Sequence, residues 1–397
     1  MIKGKDIVIV GQQPWDVEIG SNCKNIALEF SKHNRVLYVN APLDRISLMR
    51  GGSDNKIKKR KDVIEGKATG LIQIDVNLWN LYPDSMIESI NWISIHTIFR
   101  FLNKVNNQRF ASSIQKAIHT LNFKDFILFN DNDIFRSFHL KELLKPALYI
   151  YYSRDYMLAV DYWKRHGEKL EPQLIASSDI CVANSTYLAD YCRQYNPNSY
   201  YVGQGCELGL FMDFKGEEPV EMQKIQGVRI GYVGALLGLR LDIDLLTEVA
   251  RSRPDWQLIL VGPEDELFKE SELHALANVH FIGSKSPDEL PAFIHSFDIC
   301  LNPQVISQVT IGNYPRKIDE YLAMGKPVIA TSTPFMEAVF SEYTYLAKNP
   351  IEFIQLIELA LGEDSKDKQL SRRGFAAQHT WENSVAEIYK AIEKHSD

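Results

Sequence analysis

The chain is poor in sulfur and has no long apolar run. Its 397 residues include five cysteines, Cys23, Cys181, Cys192, Cys206 and Cys300, scattered and without a C-x-x-C pair, which excludes a disulfide framework and a zinc ribbon. They are expected to be small core residues. No stretch reaches the roughly 18 uncharged apolar residues of a spanning helix, and Met1-Ile2-Lys3-Gly4-Lys5-Asp6 opens into a strand-like run without a secretory pattern. A cytoplasmic protein is expected. A G-x-x-x-x-G-K-[ST] loop, a three-glycine dinucleotide fingerprint and a G-x-S-x-G elbow are all missing, which removes P-loop kinases, dehydrogenases and α/β-hydrolases. His274 and His280 are six apart, and no histidine pair has ligand spacing, so no metal site is expected.

What is present reads as a soluble globular chain with 45% hydrophobic, 24% charged and 11% aromatic residues. Chains beyond about 250–300 residues usually split their core, so two domains are expected. The net charge of -7 is unevenly spread, with residues 1–210 net basic and the remainder net acidic. An acidic total argues against nucleic acid, whereas a basic first half can meet anionic lipid or an anionic substrate. Short Val/Ile/Tyr-rich runs alternate with helix-period stretches, the pattern of parallel βα units. In the first half the runs are 6–11, 35–40, 71–76, 126–130, 148–152, 180–184 and 200–202; in the second they are 228–233, 257–262, 279–282, 299–302, 327–331 and 343–347. The polar stretch Asp213-Phe214-Lys215-Gly216-Glu217-Glu218-Pro219 marks the break between halves. Arg50–Gly70, with Lys56, Lys58, Lys59, Arg60 and Lys61, reads as a mobile loop, either a solvated charge run or a contact with a membrane surface. Ile87–Leu102 reads as a core helix, with a membrane-touching helix as the alternative.

The most informative segment runs from Gly312 to Thr331. Pro315 suits a helix start and Gly325 the position past a helix end, placing about two or three turns between a loop and a buried strand. Amides at such a start bind anions, Arg316 and Lys317 add cations, and Glu320 can accept hydrogen bonds from a diol. Phosphate plus diol describes a nucleotide; an ordinary Arg316–Glu320 surface pair is the structural alternative.

Pro315, Lys317, Glu320, Tyr321, Leu322, Ala323, Gly325, Pro327 and Val328 resemble the donor-site run P-x-K-x-x-E-Y-L-A-x-G-x-P-V of the GT-B superfamily of sugar-nucleotide glycosyltransferases, group 1-like and of the bacterial surface-polysaccharide type. The resemblance implies an α/β fold of two doubly wound Rossmann-like domains facing across a cleft. It implies an N-terminal acceptor-binding domain over 1–212, a nucleotide-sugar-binding domain over 213–378, and a last helix over 379–397 crossing back. By the same resemblance Glu320 binds the ribose, and Tyr314, Arg316 and Lys317 hold the diphosphate. Many retaining members carry a second glutamate where this chain has Gly312, so that pair does not support retention.

Further residues follow the same family pattern. Gly234 and Arg240 fall in the first glycine loop of the second half, Gly262 and Pro263 end its second strand, and Lys285 follows its third. On the acceptor side, Gly11, Gln12, Gln13 and Trp15 follow the first strand, with Gly20-Ser21-Asn22 ahead of a helix. Asp155 is the expected general base or acceptor-positioning carboxylate, with an Arg154–Asp155 structural contact as the competing reading and Asp16 as the alternate base. Asp131-Asn132-Asp133 has the metal-binding D-x-D form of GT-A enzymes but follows a buried strand and is set aside. The resemblance thus implies a hexosyltransferase-type enzyme with a nucleotide-diphosphate sugar as co-substrate and no other cofactor. Its acceptor would be a glycan or lipid-linked molecule, with peripheral contact at the inner face of the cell membrane through 56–61. A GT-B-fold non-transferase resembling UDP-sugar 2-epimerases, and a non-catalytic nucleotide-sugar-binding protein, remain as alternatives.

Overall fold

The computed structural model describes residues 1–16, 21–50, 54–308 and 310–396. They form two compact units, Met1–Gly203 with Trp381–Asp397, and Gln204–Thr380. The break precedes the polar stretch expected to carry it, because Cys206 is bound into the second unit. Its N–H donates to the His379 carbonyl (2.9 Å), and its Sγ lies 3.3 Å from Asp319 Oδ2.

The first unit contains strands β1 (Asp6–Val10), β2 (Arg35–Val39), β3 (Leu43–Asp44), β4 (Leu71–Asp75), β5 (Leu78–Leu81), β6 (Met86–Ile87), β7 (Ile127–Asp131), β8 (Leu148–Ser153), β9 (Ile180–Ala183) and β10 (Ser199–Tyr201). Eight form one sheet in the order β10-β9-β8-β7-β1-β2-β5-β4, parallel except for the β4–β5 pair; β3 and β6 pair separately. Ile7, Val8, Ile9 and Val10 are all buried, as expected for a parallel strand covered on both faces. One covering layer joins both ends of the chain. The helix Trp381–Ser396 packs Val385, Ile388 and Tyr389 with Phe30, and Asn34 Nδ2 donates to Tyr389 Oη at 2.9 Å.

Three readings of this unit need correction. β5 went unrecognised because Leu-Trp-Asn-Leu has no alternation, although it continues the parallel sheet beside β2, and β4 is an antiparallel edge strand. Asn55–Ile64 is a helix rather than a loop. Asp54 caps it by accepting from the Lys56 N–H, Val63 is buried, and Lys59 and Arg60 lie over the Tyr82 ring at 4.5 and 5.1 Å. Gly51, Gly52 and Ser53 lie outside the described residues. The expected core helix over Ile87–Leu102 starts only at His96, and Trp92, Ile95, Ile98 and Phe101 are exposed.

The second unit contains β11 (Val228–Val233), β12 (Trp256–Val261), β13 (Val279–Gly283), β14 (Ile299–Asn302), β15 (Val328–Thr331) and β16 (Tyr345–Ala347). They form a fully parallel sheet in the order β13-β12-β11-β14-β15-β16. Counted within the unit this is the third-second-first-fourth-fifth-sixth order of a Rossmann fold. The order reverses between β11 and β14, and ligands of such sheets bind beyond the strand ends at that point. In the first unit the corresponding reversal lies between β1 and β7.

A buried carboxyl behind the first sheet makes stability depend on pH. Glu171 accepts from Tyr151 Oη (2.7 Å) and Tyr191 Oη (3.2 Å), and burial pushes its pKa up to about 7. The folded value lies above the unfolded value of about 4.3, so the stabilisation is complete below the unfolded pKa and is lost as pH rises through 7. Thermal melting of wild type should fall between pH 5 and 8, whereas Glu171→Gln should be flatter by up to about 3 kcal/mol over that window.

Candidate functional site

The helix Arg316–Ala323 begins beside the reversal point of the second sheet. Pro315 is its cap residue, Gly325 lies beyond its end at φ +75°, and Val328–Thr331 beneath is wholly buried. Tyr321 ties the helix to the sheet, its Oη accepting from the Val233 N–H at 2.9 Å. At the next residue the helix comes closer still. A Cβ on Gly234 (φ +142°) would lie 2.0 Å from Lys317 Cε, and one on Gly262 (φ +152°) would lie 2.0 Å from the Gly234 carbonyl oxygen. Only glycine serves at these two places.

The helix start opens onto a cavity of about 310 Å³ whose walls include Arg240, Asn302, Tyr314, Arg316, Lys317 and Glu320. Burial raises the Glu320 carboxyl above the usual range, opposed by Lys317 and Arg316. Lys317 Nζ also lies 5.7 Å from the Tyr232 ring centroid. A carboxylate among three cations suits a ligand that presents both hydroxyls and negative charge. Asn302 ends β14 at this cavity. It is buried, and its Nδ2 has no hydrogen-bond partner among the described residues. An unmet buried donor is costly, so a ligand oxygen placed there would gain more than an ordinary surface hydrogen bond.

Beneath the cavity floor lies a polar cluster that motif reasoning missed. Asp319 is fully buried, accepts from Tyr314 Oη at 2.7 Å, and lies 2.5 Å from His379 Nδ1. Tyr314 lines the cavity, its ring packs against Phe335 and Phe340, and its hydroxyl donates to Asp319. Asp319 was visible as an acid inside the motif, but its partner sixty residues later has no local signal. The structure thus gathers Arg240, Tyr314, Arg316, Lys317 and Glu320, with Gly234 and Gly262 shaping the backbone. Pro263 supports the glycine loop, its carbonyl accepting from the Leu236 N–H (2.8 Å), and Lys285 is held by Glu221 at 2.7 Å, outside the cavity walls.

In the first unit, a second set of residues gathers at the carboxyl edge. Asp131 is fully buried and 2.8 Å from Arg154 Nε, and Arg154 Nη1 reaches Asp155 Oδ2 at 3.1 Å. Burial raises the Asp131 carboxyl, and Arg154 opposes it. Asp133 instead pairs with Arg136 at 2.6 Å, so the two acids of the D-x-D run serve different arginines. Asp155 keeps a 47% exposed side chain. Gln12 reaches the same edge, its N–H donating to Asp131 Oδ2 (3.4 Å) and its Nε2 to the Asn132 carbonyl. Gly11 is required by Tyr38, whose Oη would be 2.2 Å from a Cβ there and donates to the Gln13 carbonyl at 2.6 Å. Trp15 stacks edge-on against Tyr38, and its backbone N–H donates to Asn40 Oδ1. Asp16 is paired with Arg60 at 2.9 Å, and the expected Gly20 lies outside the described residues.

Residues 227–363 match the family model described as glycosyl transferases group 1. The matched stretch lies within the second unit. Over 255 residues the chain is 32% identical to TuaH of Bacillus subtilis (strain 168), assigned by name to teichuronic acid biosynthesis as a glycosyltransferase; the match covers 60% of this chain and 63% of that relative's length. Solved structures resemble the whole chain. Anabaena HepE, determined in complex with UDP, aligns at a TM-score of 0.66 with 13% identity, over 98% of this chain and 100% of that one. Sucrose-phosphate synthase from Thermosynechococcus elongatus aligns at 0.65 with 13% identity and 98% coverage of each. At such identities the likeness is one of fold, and the fold is GT-B.

The two close approaches in the second unit should differ in cost. Gly262→Ala meets a fixed backbone carbonyl and should destabilise by about 2–4 kcal/mol, whereas Gly234→Ala meets the movable end of Lys317 and should cost less. Chemical denaturation of both variants checks the order.

Proposed function

We propose that this protein is a glycosyltransferase that moves a sugar from a nucleotide-diphosphate sugar to a glycan or lipid-linked acceptor in cell-surface polysaccharide synthesis. The observation that carries this reading is the cavity at the start of the helix Arg316–Ala323, where Glu320 stands among Arg240, Arg316 and Lys317. Glu320 accepts the ribose hydroxyls. The helix start and the three cations hold the diphosphate and meet the charge that grows on it as it leaves. The Asn302 amide supplies a further donor to this oxygen-rich ligand.

In the transfer, an acceptor hydroxyl oxygen forms a bond to the anomeric carbon while the bond from that carbon to the diphosphate oxygen breaks. The hydroxyl proton passes to a base and the nucleoside diphosphate departs. Asp155 suits the base better than Asp16, which is held by Arg60, because Asp155 is half exposed at the sheet edge and oriented by Arg154. A base of this kind belongs to an inverting course, and Gly312 in place of a second glutamate agrees with it. The reaction takes place in the cytoplasm, with peripheral contact at the membrane face through the helix Asn55–Ile64. That helix exposes Lys56 and Lys58, and among the described residues no helix is long and apolar enough to cross a membrane.

UDP, GDP, ADP, CMP and dTDP should be compared by thermal shift. One base class should stabilise wild type, an effect lost in Glu320→Ala and weakened about tenfold in affinity in Asn302→Ala. No stabilisation by any nucleotide would overturn the donor site. Asp155→Asn should lower kcat by about a hundredfold or more while leaving nucleotide affinity unchanged, and Asp16→Asn should have a far smaller effect. Steady-state kinetics with acceptor distinguishes the two.

A further inference from the structure

The first unit holds a cavity of about 790 Å³, within the size range of ligand pockets. Its inner wall is apolar. Ile90, Phe99 and Phe135 are buried there, and Trp163 stacks on Phe135 with ring centroids 5.1 Å apart. Polar groups converge on the same space. Asp44 lines it, accepting from the hydroxyls of Ser47 and Ser89, each at 2.5 Å. Burial disfavours its charge, but those hydroxyls hold its carboxyl below the usual range, leaving an ionised acceptor in the wall.

The cavity joins two different regions. Gln12 and Arg136 belong to its lining, which brings it to the carboxyl edge where Asp131, Arg154 and Asp155 meet. Ile46, Trp92 and Tyr162 also line it, yet they are 37%, 70% and 57% exposed. Their neighbours Met49 and Ile95 are more than half exposed as well. A pocket with hydrogen-bonding groups near the sheet edge and aromatic and aliphatic side chains at its mouth fits neither a bare sugar nor a plain hydrocarbon.

We infer that this cavity binds the acceptor as an amphipathic glycoside, its sugar hydroxyls on Asp44 and Gln12 and its apolar aglycone leaving past Trp92 and Tyr162. The inference deepens the transferase reading and rests on it for the word acceptor. The occupant's chemistry can be tested without any donor.

Octyl β-D-glucopyranoside below its micellar concentration, glucose and octanol are titrated separately into the full chain, with binding followed by calorimetry. Octyl glucoside should bind about tenfold or more tighter than either fragment. Trp92→Ala and Ile46→Glu, both at the exposed mouth, should weaken it about tenfold without lowering the melting temperature. Asp44→Asn should weaken octyl glucoside and leave octanol unchanged. Equal binding of octanol and octyl glucoside, no binding at all, or binding indifferent to Trp92 and Ile46 would each overturn the inference. The UDP thermal shift is run on the same samples: UDP stabilisation without octyl glucoside binding removes this cavity alone, and octyl glucoside binding without nucleotide stabilisation removes the transferase reading alone.

Discussion

The cavity at the start of the helix Arg316–Ala323 depends on how closely one helix start can approach two strand ends. The bond from the Val233 N–H to Tyr321 Oη fixes the spacing, and the missing side chains of Gly234 and Gly262 let Lys317 and the glycine loop occupy the same few ångströms. With a Cβ at either position, Lys317 would be displaced or the loop would swing away. The three cations would then no longer face one volume. Close packing of backbone thus sets the electrostatics, because charges separated by a few more ångströms and exposed to water lose most of their mutual field.

The same helix carries acids on both sides of that boundary. Glu320 faces the cavity among cations, and Asp319, one residue earlier, faces inward to Tyr314, His379 and Cys206. The inward acid anchors Tyr314, which lines the cavity just ahead of the helix, through the 2.7 Å bond. Two adjacent carboxylates therefore have separate surroundings, one in the cavity wall and one in the buried cluster. Helical geometry separates them, since successive residues point about 100° apart around the axis.

Much of this could be read from residue order. The strand runs at 228–233 and 299–302 match β11 and β14, and the helix between Pro315 and Gly325 was located by the conformational needs of proline and glycine at helix ends. The unread parts share a physical cause. Asn55–Ile64 is almost wholly polar, and its few apolar anchors make sense only once Tyr82 and the buried position of Val63 are known. β5 has four residues and gains its identity from β2 alongside it. Asn302 looks ordinary in sequence, and its unmet amide emerges only from what surrounds it. His379 meets Asp319 only through tertiary packing. The run from Pro315 to Val328 named the charged walls of its cavity, whereas the cavity of the first unit draws on segments from Gln12 to Arg165 without a local pattern.

The return of the helix Trp381–Ser396 to the first unit makes the second unit an insertion in the first. Synthesis on the ribosome runs against that arrangement. The second unit is contiguous from Gln204 to Thr380 and has all its strands before the final helix is made, while the core cluster of Ile7, Phe30 and Phe129 still lacks Val385, Ile388 and Ile392. The sheet of the first unit is therefore made before the second unit and has its core completed after it, and a chain truncated at Thr380 would carry the whole second unit together with an apolar, half-covered sheet, a natural client for chaperones.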